Sequence, residues 1–271
     1  MKPSRLTTAK KNGVGKDLST GWAVNYAIGC LHGCIFCYVD AIHKKFNTYK
    51  VDVSPPWGYY FYVPVNIWEA INRTPWHKWR GEEVLLSSMH DPYLPQLTMY
   101  TRAILERALA AGVRVRIQTR SMLVLQDLDL LEKYKNQVVL QVSIPTTNPE
   151  FAKLIEPRVP PPSARLKILE EASKHGLETG VIIAPIFPPN KHRPNLEEDL
   201  ELLASELKKI GVDRVYGEML HVRGRNMNYI RSVLGEWIKV SRETDRYIEG
   251  LFYRVLDKYG LRGEYWPEFH E

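Results

Sequence analysis

The chain has 271 residues, of which 44% are hydrophobic and 11% aromatic, which is enough apolar material for a full core and too much for a disordered chain. No run of about 18 apolar residues occurs, and the opening MKPSRLTTAKKNGVGKDLST lacks a signal-type apolar stretch, so the sequence argues against a membrane or secreted protein and for the cytoplasm. The net charge of +6 is concentrated early: Lys2, Arg5, Lys10, Lys11, Lys16, Lys44, Lys45 and Lys50 oppose only Asp17 and Asp40, while the rest of the chain is balanced.

Residues 1–20 read as a basic extension and 21–271 as one catalytic domain. The basic segment either attracts DNA or RNA by neutralising phosphates or is a solvated tail. GVGK at 13–16 echoes a phosphate loop but lacks the full pattern and the flanking strand and helix. Trp22 to Ile28 is the first expected strand. The aromatic run WGYYFYVPVNIW, 57–68, reads as a strand or lid packed on the core, or as a surface for stacking bases. A second strand is expected over Glu83 to Ser88. AILERALAAGVRVRIQ, KILEEASKHGLETGVIIAP and LELLASELKKIGVDRVYGEM each pass from helical periodicity through Gly112, Gly176 or Gly211 into an apolar strand. Gln137 to Ser143 adds another strand. Met227 to about Asp257 is helical, with a break at Ser241 to Asp245, and has Trp237 on its apolar face.

Alternating helices and about six strands imply a parallel sheet, either an open sheet or a partial barrel; periodicity does not separate the two. Arg114, Arg116, Gln118 and Arg120 alternate with apolar residues, as do Gln141 and Ser143, so these polar sets should line a lumen. Ligands bind at the carboxyl ends of parallel strands, which carry Ser88, Arg120, Ser143, Ala184 and Met219.

The three cysteines all fall within GCLHGCIFCYVD, at Cys30, Cys34 and Cys37, a C-x3-C-x2-C spacing. Three soft thiolates on one tight loop suit an iron-sulfur cluster or, with His32 or His43 as fourth ligand, a zinc ion. A four-iron cluster with three protein ligands leaves one iron open for a small molecule. This segment, with Phe36 before the last cysteine and Tyr38 after it, resembles the signature of the radical S-adenosylmethionine (SAM) superfamily.

NYAIGCLHGCIFCY, SSMHDPYLPQL, TRAILE, IQTRSMLVLQDLDLL, VSIPTTNPEFAKLIEP and IIAPIFPP further resemble, in order, blocks of the spore photoproduct lyase-like branch. The resemblance implies an α/β fold: a partial (β/α)6 TIM-type barrel of parallel strands, closed at its edge by the C-terminal helical segment. It implies a four-iron four-sulfur (4Fe-4S) cluster on Cys30, Cys34 and Cys37, SAM chelating the open iron, and reductive cleavage to a 5′-deoxyadenosyl radical. An electron donor such as a ferredoxin or flavodoxin is implied as well.

Carried over residue by residue, the candidate SAM contacts are Phe36, Tyr38, Ser88, His90, Arg120 and Ser143. Arg120 stands where the branch has a lysine near the SAM carboxylate, and Ser143 where a serine approaches the ribose. Glu156 and Arg165 are expected to form a bracing ion pair. Ser88 stands where the lyase has a hydrogen-donor cysteine, which weakens the case for the lyase reaction itself. Tyr26 and Tyr93 are candidates for a radical relay but read first as buried structural tyrosines. Asp91 reads as a turn residue, and His77, His175, His192, His221 and His270 as ordinary loop or surface residues.

Three functions remain in play. The first is radical chemistry on a nucleic acid or nucleotide, the second the same chemistry on a peptide or small metabolite, and the third a non-enzymatic iron-sulfur or zinc protein.

Overall fold

The structure, a computed structural model, describes residues 22–47, 50–223 and 226–269. The basic extension at 1–20 and the GVGK segment lie outside them. In chain order the elements are β1 (Trp22–Ala23), β2 (Ile28–Gly29), α1 (Val39–Phe46), β3 (Phe61–Tyr62), α2 (Ile67–Arg73), β4 (Glu83–Leu86), α3 (Thr98–Ala110) and β5 (Arg114–Thr119). Then come α4 (Leu128–Lys133), β6 (Val138–Ser143), α5 (Pro149–Ile155), α6 (Pro162–Lys174), β7 (Glu178–Ile186), α7 (Leu196–Ile210), β8 (Arg214–Met219), α8 (Asn226–Leu234), α9 (Arg242–Tyr259) and β9 (Gly263–Trp266).

The three helix-glycine-strand units form as their sequences require. Gly112, Gly176 and Gly211 all take positive φ, so the chain leaves each helix by a left-handed turn and enters the next strand at once. Helix starts are capped by side chains: Asn148 accepts from Phe151 N ahead of Pro149, Asn195 from Glu198 N, and Ser241 from Thr244 N. On α7, Glu197, Glu198 and Asp199 in the first turn and Lys208 and Lys209 in the last also complement the helix dipole.

Seven parallel strands in the order β1-β4-β5-β6-β7-β8-β9 curl into a half-barrel. Val115 and Ile117 of β5 and Leu140 and Val142 of β6 are buried, with α3 packing beside β5 and α6 beside β6 and β7. Alternation places Gln118, Gln141 and Ser143 on the other face, with Gln118 directly opposite Gln141 in the register.

The details depart from expectation at both ends of the chain. The first strand is not continuous to Ile28. β1 ends at Ala23, Asn25 turns out to hold Ser88, and Ile28–Gly29 pairs antiparallel with β3 in a separate two-stranded sheet. At the other end β9 adds a seventh strand, too short and too exposed to show a clear alternation. The C-terminal helical segment breaks earlier than expected, at Gly235 with φ +67°, and Ser241 already caps α9. Trp237 falls in this break and is 56% exposed rather than on a buried helical face. Helix α9 packs on α7, β8 and β9. Among the described residues no helix is long and apolar enough to cross a membrane.

Candidate active site

The cysteine loop runs from β2 to α1 at the carboxyl end of the sheet. Cys30 and Cys34 are buried and Cys37 half-buried. Gly33 takes φ +69° and meets Gly58 (φ +92°), where a Cβ would stand 2.5 Å from the Gly33 Cα, so the loop and the aromatic segment touch backbone to backbone. Burial pushes the Cys30 thiol up to about 11, Cys37 up to about 12 and Cys34 well above its ordinary value. Bare thiols there keep their protons at neutral pH, and coordination to a metal centre would replace them.

The donor set fits an iron-sulfur cluster better than zinc. His32 gives its Nε2 to Asp91 at 2.8 Å, and His43 packs edge-on against Trp57 with both ring nitrogens unpartnered. Among the described residues no three His, Cys, Asp or Glu side chains gather as a single ion requires. Three thiols without a fourth protein ligand suit a cluster that leaves one iron open.

Two buried carboxylates stand at the strand ends, and the first ties the loop to them. Asp91 accepts from His32 Nε2 within the loop (2.8 Å), from Thr119 Oγ1 (2.7 Å) and Arg120 N (2.8 Å) at the end of β5, and from Tyr93 N (2.8 Å). Burial alone would raise its pKa, but His32, Thr119 and the Arg120 amide hold it down to about 2. Glu156 lies between Arg120 Nε and Arg165 Nη2, each at 2.7 Å, with Glu156 and Arg165 fully buried. Arg165 Nη1 also donates to the Ser143 carbonyl at 2.7 Å, so the expected brace exists and reaches both Arg120 and Ser143.

The expected contacts fall into three groups. Phe36 meets Phe187 edge-on at 5.9 Å and the Arg120 guanidinium at 6.0 Å, and its carbonyl accepts from Asn226 Nδ2 at 3.4 Å. Tyr38 directs its hydroxyl to the Ser88 carbonyl at 3.5 Å, and the Ser88 Oγ accepts from Asn25 Nδ2 at 3.0 Å. Ser143 is fully buried on β6 with its Oγ unpartnered, and Gln141, one pleat below, has neither amide atom partnered. Such unmet polar atoms are costly unless a ligand or water meets them. His90 likewise leaves its buried Nε2 unpartnered. Its Nδ1 lies 3.1 Å from Ser87 Oγ and its ring meets Tyr26 edge-on at 4.5 Å, and burial lowers its pKa to about 3.

Several roles were not foreseen. Asp91 is an anchor of the cysteine loop as well as a turn residue. His221 is no ordinary loop residue, since it lies between Glu218 of β8 and Glu268, with Arg223 on Glu268. Tyr26 and Tyr93 are structural: Tyr26 bonds Thr101 Oγ1 at 2.5 Å, and Tyr93 donates to Asp127 at 2.9 Å. In the aromatic run Trp57 and Tyr60 are buried, consistent with a packed lid, whereas Tyr59 is 68% exposed.

The sequence pattern described as the radical SAM superfamily matches residues 24–203. An uncharacterized protein of Acidianus two-tailed virus is 57% identical, covering 100% of this chain and 90% of its own length. An uncharacterized protein of Mycobacterium tuberculosis is 28% identical, covering 91% of this chain and 76% of that protein. Among solved structures, spore photoproduct lyase complexed with dinucleoside spore photoproduct is similar with a TM-score of 0.71 at 15% identity, over 96% of this chain and 80% of that one. Streptococcus suis SuiB bound to precursor peptide SuiA gives a TM-score of 0.52 at 12% identity, over 68% and 38%. A half-barrel whose cysteine loop sits at the strand ends, and a family match over most of its length, agree: the chain belongs to the radical SAM superfamily and is an enzyme whose cofactors are a 4Fe-4S cluster and SAM.

Proposed function

We propose that the enzyme carries out a radical-based modification of a nucleic acid or nucleotide. When bound, the cluster and SAM supply a 5′-deoxyadenosyl radical that abstracts hydrogen from a substrate. Cys30, Cys34 and Cys37 hold the cluster. Arg120 keeps its Nε on Glu156 and offers its outer guanidinium nitrogens to the SAM carboxylate. The unpartnered Ser143 Oγ receives the ribose. Phe36, Tyr38 and Ser88 wall the seat, and His90 braces the turn that carries Ser88. The buried surroundings keep solvent, and with it dissolved thiols and reductants, away from the radical and so prevent side reactions.

The observation that carries the substrate reading is the likeness, along nearly the whole chain, to a lyase solved with its dinucleoside photoproduct. The early cluster of basic residues adds to it. The test is to reconstitute the cluster without oxygen, add dithionite and SAM, and quantify 5′-deoxyadenosine with and without oligonucleotides, using Cys30→Ala, Cys34→Ala and Cys37→Ala as controls. Oligonucleotide-dependent turnover, with affinity that falls as salt rises, is expected. No affinity for DNA or RNA at low ionic strength would refute the substrate reading.

Radical modification of a peptide is the second reading. It is favoured by Ser88 at the place of the lyase's donor thiol and by the partial likeness to SuiB bound to its precursor peptide.

A further inference from the structure

We propose that the exposed face of helix α8, together with the turn that follows it and the loop after β7, is the surface on which a single strand of the nucleic-acid substrate docks beside the active site. The inference rests on the nucleic-acid reading and adds where the strand runs.

These segments belong to the site's end of the sheet and are bonded to one another. The loop after β7 starts at Phe187, whose ring meets Phe36 of the cysteine loop at 5.9 Å. Asn226, the first residue of α8, gives its Nδ2 to the Phe36 carbonyl at 3.4 Å and to the His221 carbonyl at 2.7 Å. The β7 loop then reaches the end of α8. Lys191 N donates to Glu236 Oε1 at 3.0 Å, Lys191 Nζ donates to the Gly235 carbonyl at 3.4 Å, and His192 Nε2 lies 2.9 Å from the Leu234 carbonyl. The Arg231 guanidinium, on the last turn of α8, lies 4.9 Å from the centre of the Trp237 ring. Lys191, Arg231 and Trp237 thus share one surface, which adjoins the cysteine loop at Phe36.

The chemistry of the surface is that of a single-strand binder. On α8 the residues Asn226, Ile230 and Leu234 are buried, four apart, while Asn228, Tyr229, Arg231 and Ser232 form an exposed arc without an acid. Tyr229 is 46% and Trp237 56% exposed, more ring surface than a solvated helix end requires. From His221 to Arg242 the sequence has Arg223, Arg225, Arg231, Lys239 and Arg242 against Glu236 alone. Glu268 takes up Arg223, but among the described residues neither Lys191 nor Arg231 has a carboxylate partner for its side chain. Cations that track phosphates, beside exposed rings on which bases stack, are the two parts by which proteins hold single strands. An acidic protein would satisfy the cations alone. A substrate strand also accounts for the rings and for the place of the surface, because a base presented at Arg120 and Ser143 carries its neighbouring nucleotides past the strand ends.

The test uses the full-length, cluster-loaded enzyme and a fluorescein-labelled single-stranded oligothymidylate, with affinity read by anisotropy at rising salt and polyglutamate as a competing polyanion without bases. Lys191→Gln with Arg231→Gln is the charge variant and Trp237→Ala the ring variant; iron content and the urea midpoint check that both fold as the wild type does. In the charge variant the salt slope should become shallower by about 1.4, at about 0.7 for each lost phosphate contact to a single strand. Trp237→Ala should weaken oligonucleotide binding about tenfold and leave the salt slope and the competition by polyglutamate unchanged. Wild-type affinity and slope in both variants would overturn the proposal, and so would a loss that appears only when Lys10 and Lys11 of the basic extension are replaced by Gln. Polyglutamate competing as strongly as unlabelled oligothymidylate would show attraction by charge alone and would overturn it too. A wild-type enzyme with no affinity for the oligonucleotide at low salt would instead refute the nucleic-acid reading, and the docking surface with it.

Discussion

Replacing Asp91 by Asn tests whether the cysteine loop is held by a charge or merely by shape. The carboxylate accepts four bonds of 2.7 to 2.8 Å, two at each oxygen: Tyr93 N and Thr119 Oγ1 at Oδ1, His32 Nε2 and Arg120 N at Oδ2. All four partners donate, so the NH2 of Asn faces two donors whichever way it is turned. The pKa near 2, against an ordinary value of 3.8, corresponds to about 2 kcal/mol of stability from the ionised form. Two stranded donors add roughly 1 kcal/mol or more each, so the variant should lose about 4 kcal/mol. The assay is anaerobic urea unfolding, with iron and sulfide content measured in parallel. Because the folded pKa is depressed, the wild-type advantage is complete above pH 3.8 and is lost as pH falls through about 2. A loss below about 1 kcal/mol with a full cluster complement would refute the anchoring argument.

Glu156→Ala leaves the buried Arg165 and part of Arg120 uncompensated, so a loss of about 3 to 5 kcal/mol is expected. SAM binding by equilibrium dialysis should weaken too, since Arg165 holds the Ser143 carbonyl. His90 is kept neutral chiefly by burial, with its pKa lowered from 6.5 to about 3, so its contribution is present above pH 6.5 and is lost as pH falls toward 3. About 3 kcal/mol should go between pH 6.5 and 4, and His90→Phe should flatten that slope in unfolding curves taken across the range. Gly58→Ala places a Cβ 2.5 Å from the Gly33 Cα at φ +92° and should cost about 2 kcal/mol or more. The half-life of cluster absorbance in air should shorten with it; an unchanged half-life would mean that the lid does not shield the loop.

Much of this architecture was legible in the sequence because local signals agreed with it. Each helix ending at Gly112, Gly176 or Gly211 had its periodicity, its left-handed exit and its apolar strand in one contiguous stretch, and the lumen polarity followed from alternation at Gln118, Gln141 and Ser143. What failed to show was long-range. Asp91 looks like a turn former because its bond to Tyr93 N is local, while its partners Thr119, Arg120 and His32 lie 28, 29 and 59 positions away. His221 has Glu218 three residues before it, a visible hint, but Glu268 arrives only through β9, a strand of four residues with little periodicity. The early end of the first strand at Ala23 was hidden for the same reason, since Asn25 commits to Ser88, 63 positions on.

The site also constrains what chemistry the proposed nucleic-acid reading can include. A lyase that returns hydrogen to its product needs a donor whose bond is weak enough for a carbon radical to break, and a thiol meets that need. Ser88, which the resemblance sets at the thiol's position, does not, because a serine O–H bond is far stronger than S–H. The structure makes Ser88 a fixed part of the turn: its amide donates to Asn25 Oδ1 at 3.0 Å, its Oγ accepts from Asn25 Nδ2 at 3.0 Å, and its carbonyl faces the Tyr38 hydroxyl. A residue bound at its amide, hydroxyl and carbonyl shapes a wall and does not deliver an atom. Under the proposed function, therefore, Ser88 does not return the abstracted hydrogen: it comes back from 5′-deoxyadenosine, or from another weak bond at the site such as the phenolic O–H of Tyr38, or it does not come back, and the last step differs from one that uses a thiol at this position.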